Sequence, residues 1–220
     1  MATRVFLVRH GATVLSAEDR FAGSVDAALS DDGRAQARSL GARIASEPLA
    51  AVYASPMSRA IETAALVTAG RGFGTASVPE LRETDHGHWE SRTREEVRAE
   101  FPEEYGRWER DPFTFAPSGG ETGLQVLARA LPAFLAISAR HENDSVLVVS
   151  HKATIRLVVS ALLGVELRGY RDRLDMSPCG LSILDVKPDA VARLVLFNDV
   201  SHYATVPRPT GNRLSPWWSS

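Results

Sequence analysis

The chain alternates short, unbroken apolar runs with longer stretches in which apolar residues recur at helical spacing. Val5-Phe6-Leu7-Val8 is the first such run, and four consecutive apolar side chains suit a strand covered on both faces, as in a parallel sheet flanked by helices. The run breaks at Gly11. Ser30 followed by Asp31 and Asp32 reads as a helix start, because a serine oxygen can cap free amides and acids suit the first turn. Ala35, Leu40 and Ile44 continue that helix, and Pro48 closes it. Ala51-Val52-Tyr53-Ala54 is the next strand, and Ser55-Pro56 reads as an N-cap with proline in the first turn of a helix through Ile61, Ala65 and Leu66. The rhythm is β-α-β-α.

Beyond a weak strand near Val78 the rhythm is interrupted. Thr93 with Glu96 has the spacing of a capping box, the segment from there to Trp108 is charged and aromatic, and Asp111-Pro112 and Pro117-Ser118-Gly119-Gly120 mark loops. This predicts a helical lid insertion around residues 85–120, lying over one end of the sheet. A helix to Arg140 follows, with a bend expected at Pro132. Ser145-Val146-Leu147-Val148-Val149 is the clearest strand, and it feeds directly into a helix from about His151 to Leu163, stopped by Gly164. Leu181 to Val186 and Arg193 to Phe197 are the last strand candidates. The fold class predicted is α/β, a three-layer α/β/α sandwich with a mostly parallel central sheet. It forms one domain over residues 1–208, and the Pro-, Ser- and Gly-rich stretch 209–220 reads as a flexible tail.

Composition narrows the classes. With 220 residues and 44% hydrophobic content there is room for one well-packed domain rather than two. A net charge of −2, with no block of Lys and Arg, argues against nucleic acid as a partner. The longest apolar stretch, Thr154 to Val165, is broken by Arg156 and Ser160 and is too short to span a bilayer, so no membrane partner is expected. Cys179 is the single cysteine and cannot form an intramolecular disulfide, and the first residues carry no secretory signal pattern; the expected location is cytoplasmic. A homodimer is left open.

The chemistry concentrates at strand ends. Arg9 and His10 stand at the carboxyl end of the first strand, His151 follows the clearest strand and opens a helix, and Arg59 lies in the first turn of another helix. Open α/β sheets hold ligands at such ends, and helix amino termini favour anions. A lone histidine beside a strand is more often structural than catalytic. Here two strand-end histidines and two arginines converge, and guanidinium forks match phosphate oxygens, which makes a phosphoryl group the expected ligand.

Leu7-Val8-Arg9-His10-Gly11-Ala12-Thr13 resembles the signature of the histidine phosphatase superfamily, the phosphoglycerate-mutase-like family. The likeness extends through Tyr53-Ala54-Ser55-Pro56 to Thr63-Ala64, through Leu81-Arg82-Glu83 to Gly87-His88-Trp89-Glu90, and to Val149-Ser150-His151. It is greatest to the phosphatase branch, particularly to metal-independent phosphoserine phosphatases. The resemblance implies a phosphomonoesterase that needs no cofactor or metal and acts on a small phosphorylated metabolite such as phosphoserine or a sugar phosphate. His10 would be the nucleophile, Arg9, Arg59 and His151 would hold the phosphoryl oxygens, and Glu83 would be the acid and base. Ser16, Gly23, His86 and Lys152 join the substrate-binding set: Ser16 stands where many members have an asparagine, and Lys152 where glycine is common after the second histidine, so that it either adds a cation to the pocket or points to solvent. Neighbouring arginines are expected to lower the pKa of His10. Asp85, His86 and His88 are too scattered by alternation to read as a metal cluster, Phe101, Tyr105 and Trp108 read as packing, and Asn198 to Tyr203 resembles a segment that closes the site. A phosphoglycerate mutase and a non-catalytic phospholigand-binding module are the alternatives. A metal-dependent phosphatase is disfavoured because the chain has no Asp-x-Asp nucleophile motif and no P-loop.

Overall fold

A computed structural model of the chain describes residues 2–17 and 19–204, with Ser16 and Ala17 described by their backbone alone; the tail expected over 209–220 lies outside the described residues. Among these residues six strands form one sheet in the order β3-β2-β4-β1-β5-β6, where β1 is Thr3–Arg9, β2 Leu49–Ala54, β3 Thr75–Ser77, β4 Ser145–Ser150, β5 Leu181–Val186 and β6 Ala192–Asp199. The pairs β2·β3, β2·β4 and β1·β4 are parallel, and β5 runs antiparallel to both its neighbours. The expected fold class is the observed one.

Period-2 alternation splits each central strand between two cores. Val5 and Leu7 of β1 join Val146 and Val148 of β4 beneath the helices α6 (Gly123–Arg140) and α7 (Lys152–Leu163). Phe6 and Val8 join Leu147 and Val149 against α2 (Asp31–Arg43) and α3 (Ser58–Val67) on the opposite face. Both faces are dry, which is why these strands read as continuous apolar runs. The short helix α1 (Val14–Ala17) follows β1. Ser30 caps α2 as expected, its side chain accepting from Gly33 N, and Gly164 ends α7 in the left-handed conformation.

One local expectation needs correction. Ser55-Pro56 does not cap α3: the helix opens at Ser58 after Met57, with no side-chain cap, and the Ser55 hydroxyl meets His151 Nε2 at 2.6 Å and Met57 N at 3.4 Å instead. The weak strand expected near Val78 is β3, Thr75–Ser77. The charged segment leading to Trp108 is two helices, α4 (Arg94–Glu100) and α5 (Pro102–Arg110), since Pro102 starts a new helix at Phe101. The Thr93–Glu96 capping box is present on α4. These two helices bury Val97, Tyr105 and Trp108 with Trp89 and Phe21 in a cluster of their own. A last short helix, α8 (Tyr170–Arg173), precedes β5. No helix among the described residues is long and apolar enough to cross a membrane.

Candidate active site

Because β1 and β4 are parallel neighbours in register, with Arg9 opposite Ser150, the residues that follow them emerge side by side at the carboxyl ends of the two central strands. His10 and His151 are both buried, their ring centroids 5.0 Å apart. The His10 backbone is fixed from two sides: its N–H donates to Ser150 O at 3.0 Å, and its carbonyl accepts from Cys179 N at 3.2 Å. Its ring Nδ1 lies 2.8 Å from Gly11 O. A carbonyl only accepts, so Nδ1 carries the proton and Nε2 keeps its lone pair. Burial first, then Arg9 and Arg59, hold the His10 pKa well below the usual histidine value, as expected from the sequence. His151 is lowered likewise, by burial and then by His10 and the arginines.

A titration follows from this. The His10 ring, followed by NMR in the free protein, is expected to titrate well below 6.5; a midpoint at or above 6.5 would contradict the arrangement. Since an unfolded chain protonates both histidines near 6.5 and the folded one resists, stability is expected to fall as the pH drops below 6.5 toward the folded values.

Arg9, also buried, donates from Nη1 to Met176 O at 2.6 Å, and its Nε has no partner among the described residues. Arg59 sits in the first turn of α3 and is 2% exposed. It is held by the backbone of a loop: Nη1 donates to Val25 O at 2.8 Å, and Nη2 to Ala22 O and Gly23 O at 3.2 and 3.0 Å. That loop is itself held by Glu90, whose carboxylate accepts from Gly23 N at 3.0 Å, Ser24 N at 3.1 Å, Val25 N at 3.3 Å and His86 N at 2.9 Å. A Cβ at Gly23 would stand 1.7 Å from Thr84 O, so only glycine lets the loop close here. Glu90→Ala strands these amides without an acceptor. It is expected to cost about 1–3 kcal/mol of stability and to lower kcat/KM roughly tenfold through Arg59, as read by thermal unfolding and by steady-state kinetics. Unchanged kcat/KM would mean that the loop does not depend on Glu90.

Glu83 docks on the amino end of α7. Its carboxylate accepts from Ala153 N at 3.1 Å, Thr154 N at 3.3 Å and Thr84 N at 2.9 Å, and its charge is felt by both Arg9 and Arg59. His151 is the N-cap residue of α7; its Nε2 lies 2.6 Å from Ser55 Oγ, while its Nδ1 is buried without a partner. Among the described residues, Arg9 Nε and His151 Nδ1 thus hold unused hydrogen-bonding capacity on the two residues beside the His10 ring, which an incoming anion can use.

The remaining expected site residues divide. His86 packs its ring against Phe21 at 4.9 Å and Trp108 at 6.4 Å, with Nδ1 buried and unpartnered. Lys152, the first residue of α7, is half-buried beside Arg156 and Arg9 rather than turned to solvent. Gly23 contributes through the loop, its N–H taken by Glu90 and its carbonyl by Arg59. The Ser16 side chain lies outside the described residues. Asp85 and His88 go separate ways, Asp85 accepting from Gly87 N and His88 facing Glu104. Ser55, Glu90 and Thr63, whose hydroxyl accepts from Gly11 N at 3.1 Å, were not flagged as site residues in the sequence. In the segment expected to close the site, Asn198 Oδ1 accepts from Ser177 N, and Tyr203 donates to Pro178 O.

An imidazole with a free Nε2, ringed by guanidinium groups at the strand ends of a doubly covered sheet, defines an enzyme that acts on phosphomonoesters. The chain belongs to the histidine phosphatase superfamily (branch 1), whose family model matches residues 5–200. It is 33% identical over 167 residues to phosphoserine phosphatase 1 of Hydrogenobacter thermophilus, covering 76% of this chain and 79% of that protein. It is 32% identical over 161 residues to the adenosylcobalamin/alpha-ribazole phosphatase of Salmonella typhimurium, covering 73% and 79% respectively. Among solved structures, Bacillus stearothermophilus YhfR superposes with a TM-score of 0.86 at 34% identity, covering 91% of this chain and 98% of that one. Like its phosphatase relatives, the protein is a phosphoric monoester hydrolase.

Proposed function

We propose that the protein is a metal-independent phosphomonoesterase that hydrolyses a small phosphorylated metabolite through a phosphohistidine on His10. The observation that carries this reading is the His10 ring itself, with Nδ1 tied to Gly11 O and Nε2 left with its lone pair beside Arg9, Arg59 and His151. His10 Nε2 attacks phosphorus, the N–P bond forms and the ester O–P bond breaks. Arg9, Arg59 and His151 stabilise the charge on the equatorial oxygens. Glu83 gives its proton to the departing alkoxide, then takes one from the water that attacks phosphohistidine, releasing phosphate and restoring His10. Phosphoserine is a candidate substrate, supported by the similarity to a phosphoserine phosphatase. A cytoplasmic site of action suits the free thiol of Cys179.

The test is phosphate release from a panel of phosphoserine, 3-phosphoglycerate and sugar phosphates in buffer containing EDTA. Rapid release from a few members supports the reading. Silence across the panel, together with phosphate transfer between phosphoglycerates, would replace it with a mutase.

A further inference from the structure

A second concentration of positive charge adjoins the phosphoryl pocket, and the hydrolysis described above does not use it. Lys152 directly follows His151, and its ammonium has no hydrogen bond or ion pair among the described residues. Arg156 stands one turn further along α7, 7% exposed; its Nε is buried without a partner among the described residues, and an Nη reaches Asp175 Oδ1 only at 3.4 Å. Arg9 completes the group. The segment Asp175–Met176 ties it together, since Asp175 accepts from its neighbour's Met176 N at 2.8 Å and Met176 O accepts from Arg9. From the lid, Arg94 adds a further, weaker positive influence on Lys152, and Asp175 is the carboxylate that faces it. Burial, then Arg156 and Arg9, push the Lys152 ammonium down to about 6.

Three cations gather here about the half-exposed Asp175, while Asp172, felt more weakly by Arg156, is paired with Arg171, and Glu83 acts on Arg9 from the phosphoryl side; each cation loses hydration and repels the others. The missing member is an anion. Arg9 is already assigned to the phosphoryl group, which leaves Lys152 and Arg156 against Asp175, a surplus that one singly charged group balances once Lys152 takes up a proton. We infer that the leaving group of the substrate carries a carboxylate and that Lys152 and Arg156 receive it, so that the enzyme selects phosphorylated acids over neutral phosphate esters. This rests on the phosphomonoesterase reading and goes beyond it by naming the substrate class and the residues that choose it.

Pairs of esters that differ in the carboxylate test this: phosphoserine against phosphoethanolamine, and 3-phosphoglycerate against glycerol 1-phosphate. The wild-type enzyme is expected to favour the acid of each pair at least about tenfold in kcat/KM, the range of a charge-assisted hydrogen bond. Lys152→Met should collapse that ratio toward one, chiefly by raising KM for the acid, and Lys152→Arg should restore most of it. Equal use of both members by the wild type, or an unchanged ratio in Lys152→Met, overturns the inference while leaving the phosphomonoesterase reading intact. Hydrolysis of no ester at all counts against that reading instead. Calorimetric binding of the same pairs to His10→Ala then still decides for or against the carboxylate site.

Discussion

Replacing His10 with alanine is expected to lower kcat on the order of 10⁴-fold or more, since the variant has no atom to receive the phosphoryl group. The arginines and His151 remain, so substrate affinity should change far less than turnover. The fold should survive. His10 is buried but held neutral, and the backbone bonds that fix it, from Cys179 N and to Ser150 O, do not involve the side chain. Rapid quenching of the wild-type enzyme with labelled substrate should trap an acid-labile phosphoenzyme, and the variant should trap none. Substantial residual turnover in a folded His10→Ala protein would remove the phosphohistidine from the mechanism.

The second large effect concerns Glu83. Glu83→Gln keeps one oxygen, which can still accept from Thr84 N and Thr154 N as Oε1 does, and gives up only the bond from Ala153 N to Oε2, so α7 and its N-cap His151 should stay in place. What the amide cannot do is deliver a proton. With an alkyl phosphate, whose leaving oxygen is strongly basic, kcat is expected to fall by about 10²–10⁴-fold. With p-nitrophenyl phosphate, whose leaving group departs as a stable anion, phosphorylation of His10 should be much less affected. The later attack by water then becomes slow, and a burst of nitrophenol should precede steady phosphate release. Equal losses of the phosphorylation step on both esters would assign Glu83 to positioning rather than to proton transfer.

What could be read from the sequence had local causes. The strands announced themselves because burial on both faces demands unbroken apolar runs, and the histidines announced themselves because each follows such a run directly. Ser30 and the Thr93–Glu96 pair were legible because capping is settled within four residues. Thr122 and Gln125, which box the start of α6, carry the same signal and were passed over. Ser55 misled for the opposite reason: Ser-Pro obeys the local rule for a cap, but its hydroxyl is drawn to His151, which only the sheet brings near. Glu90 was invisible in its role because its acceptors' partners, the amides of Gly23 to Val25, are joined to it by the fold and not by spacing. Lys152 was left between pocket and solvent since the first residue of a helix can face either; its burial beside Arg9 and Arg156 is a product of packing.

The position of β1 within the sheet bears on how the chain reaches its native state. Val5 finds its neighbours at Val146 and Leu184, so the strand that carries the nucleophile is the first of the sheet to be made yet pairs with segments made much later. Loop closure over such separations is slow, and folding rates fall as contacts become less local. During synthesis Val5-Phe6-Leu7-Val8 therefore waits, apolar and unpaired, while α2, β2 and α3 emerge and pack on one another. A nascent chain that stalls before β5 exposes this strand as an edge open to other chains, the condition under which unfinished sheets aggregate. The arrangement that buries His10 at the centre of the sheet thus delays the formation of the catalytic pocket until β4 and β5 have been made.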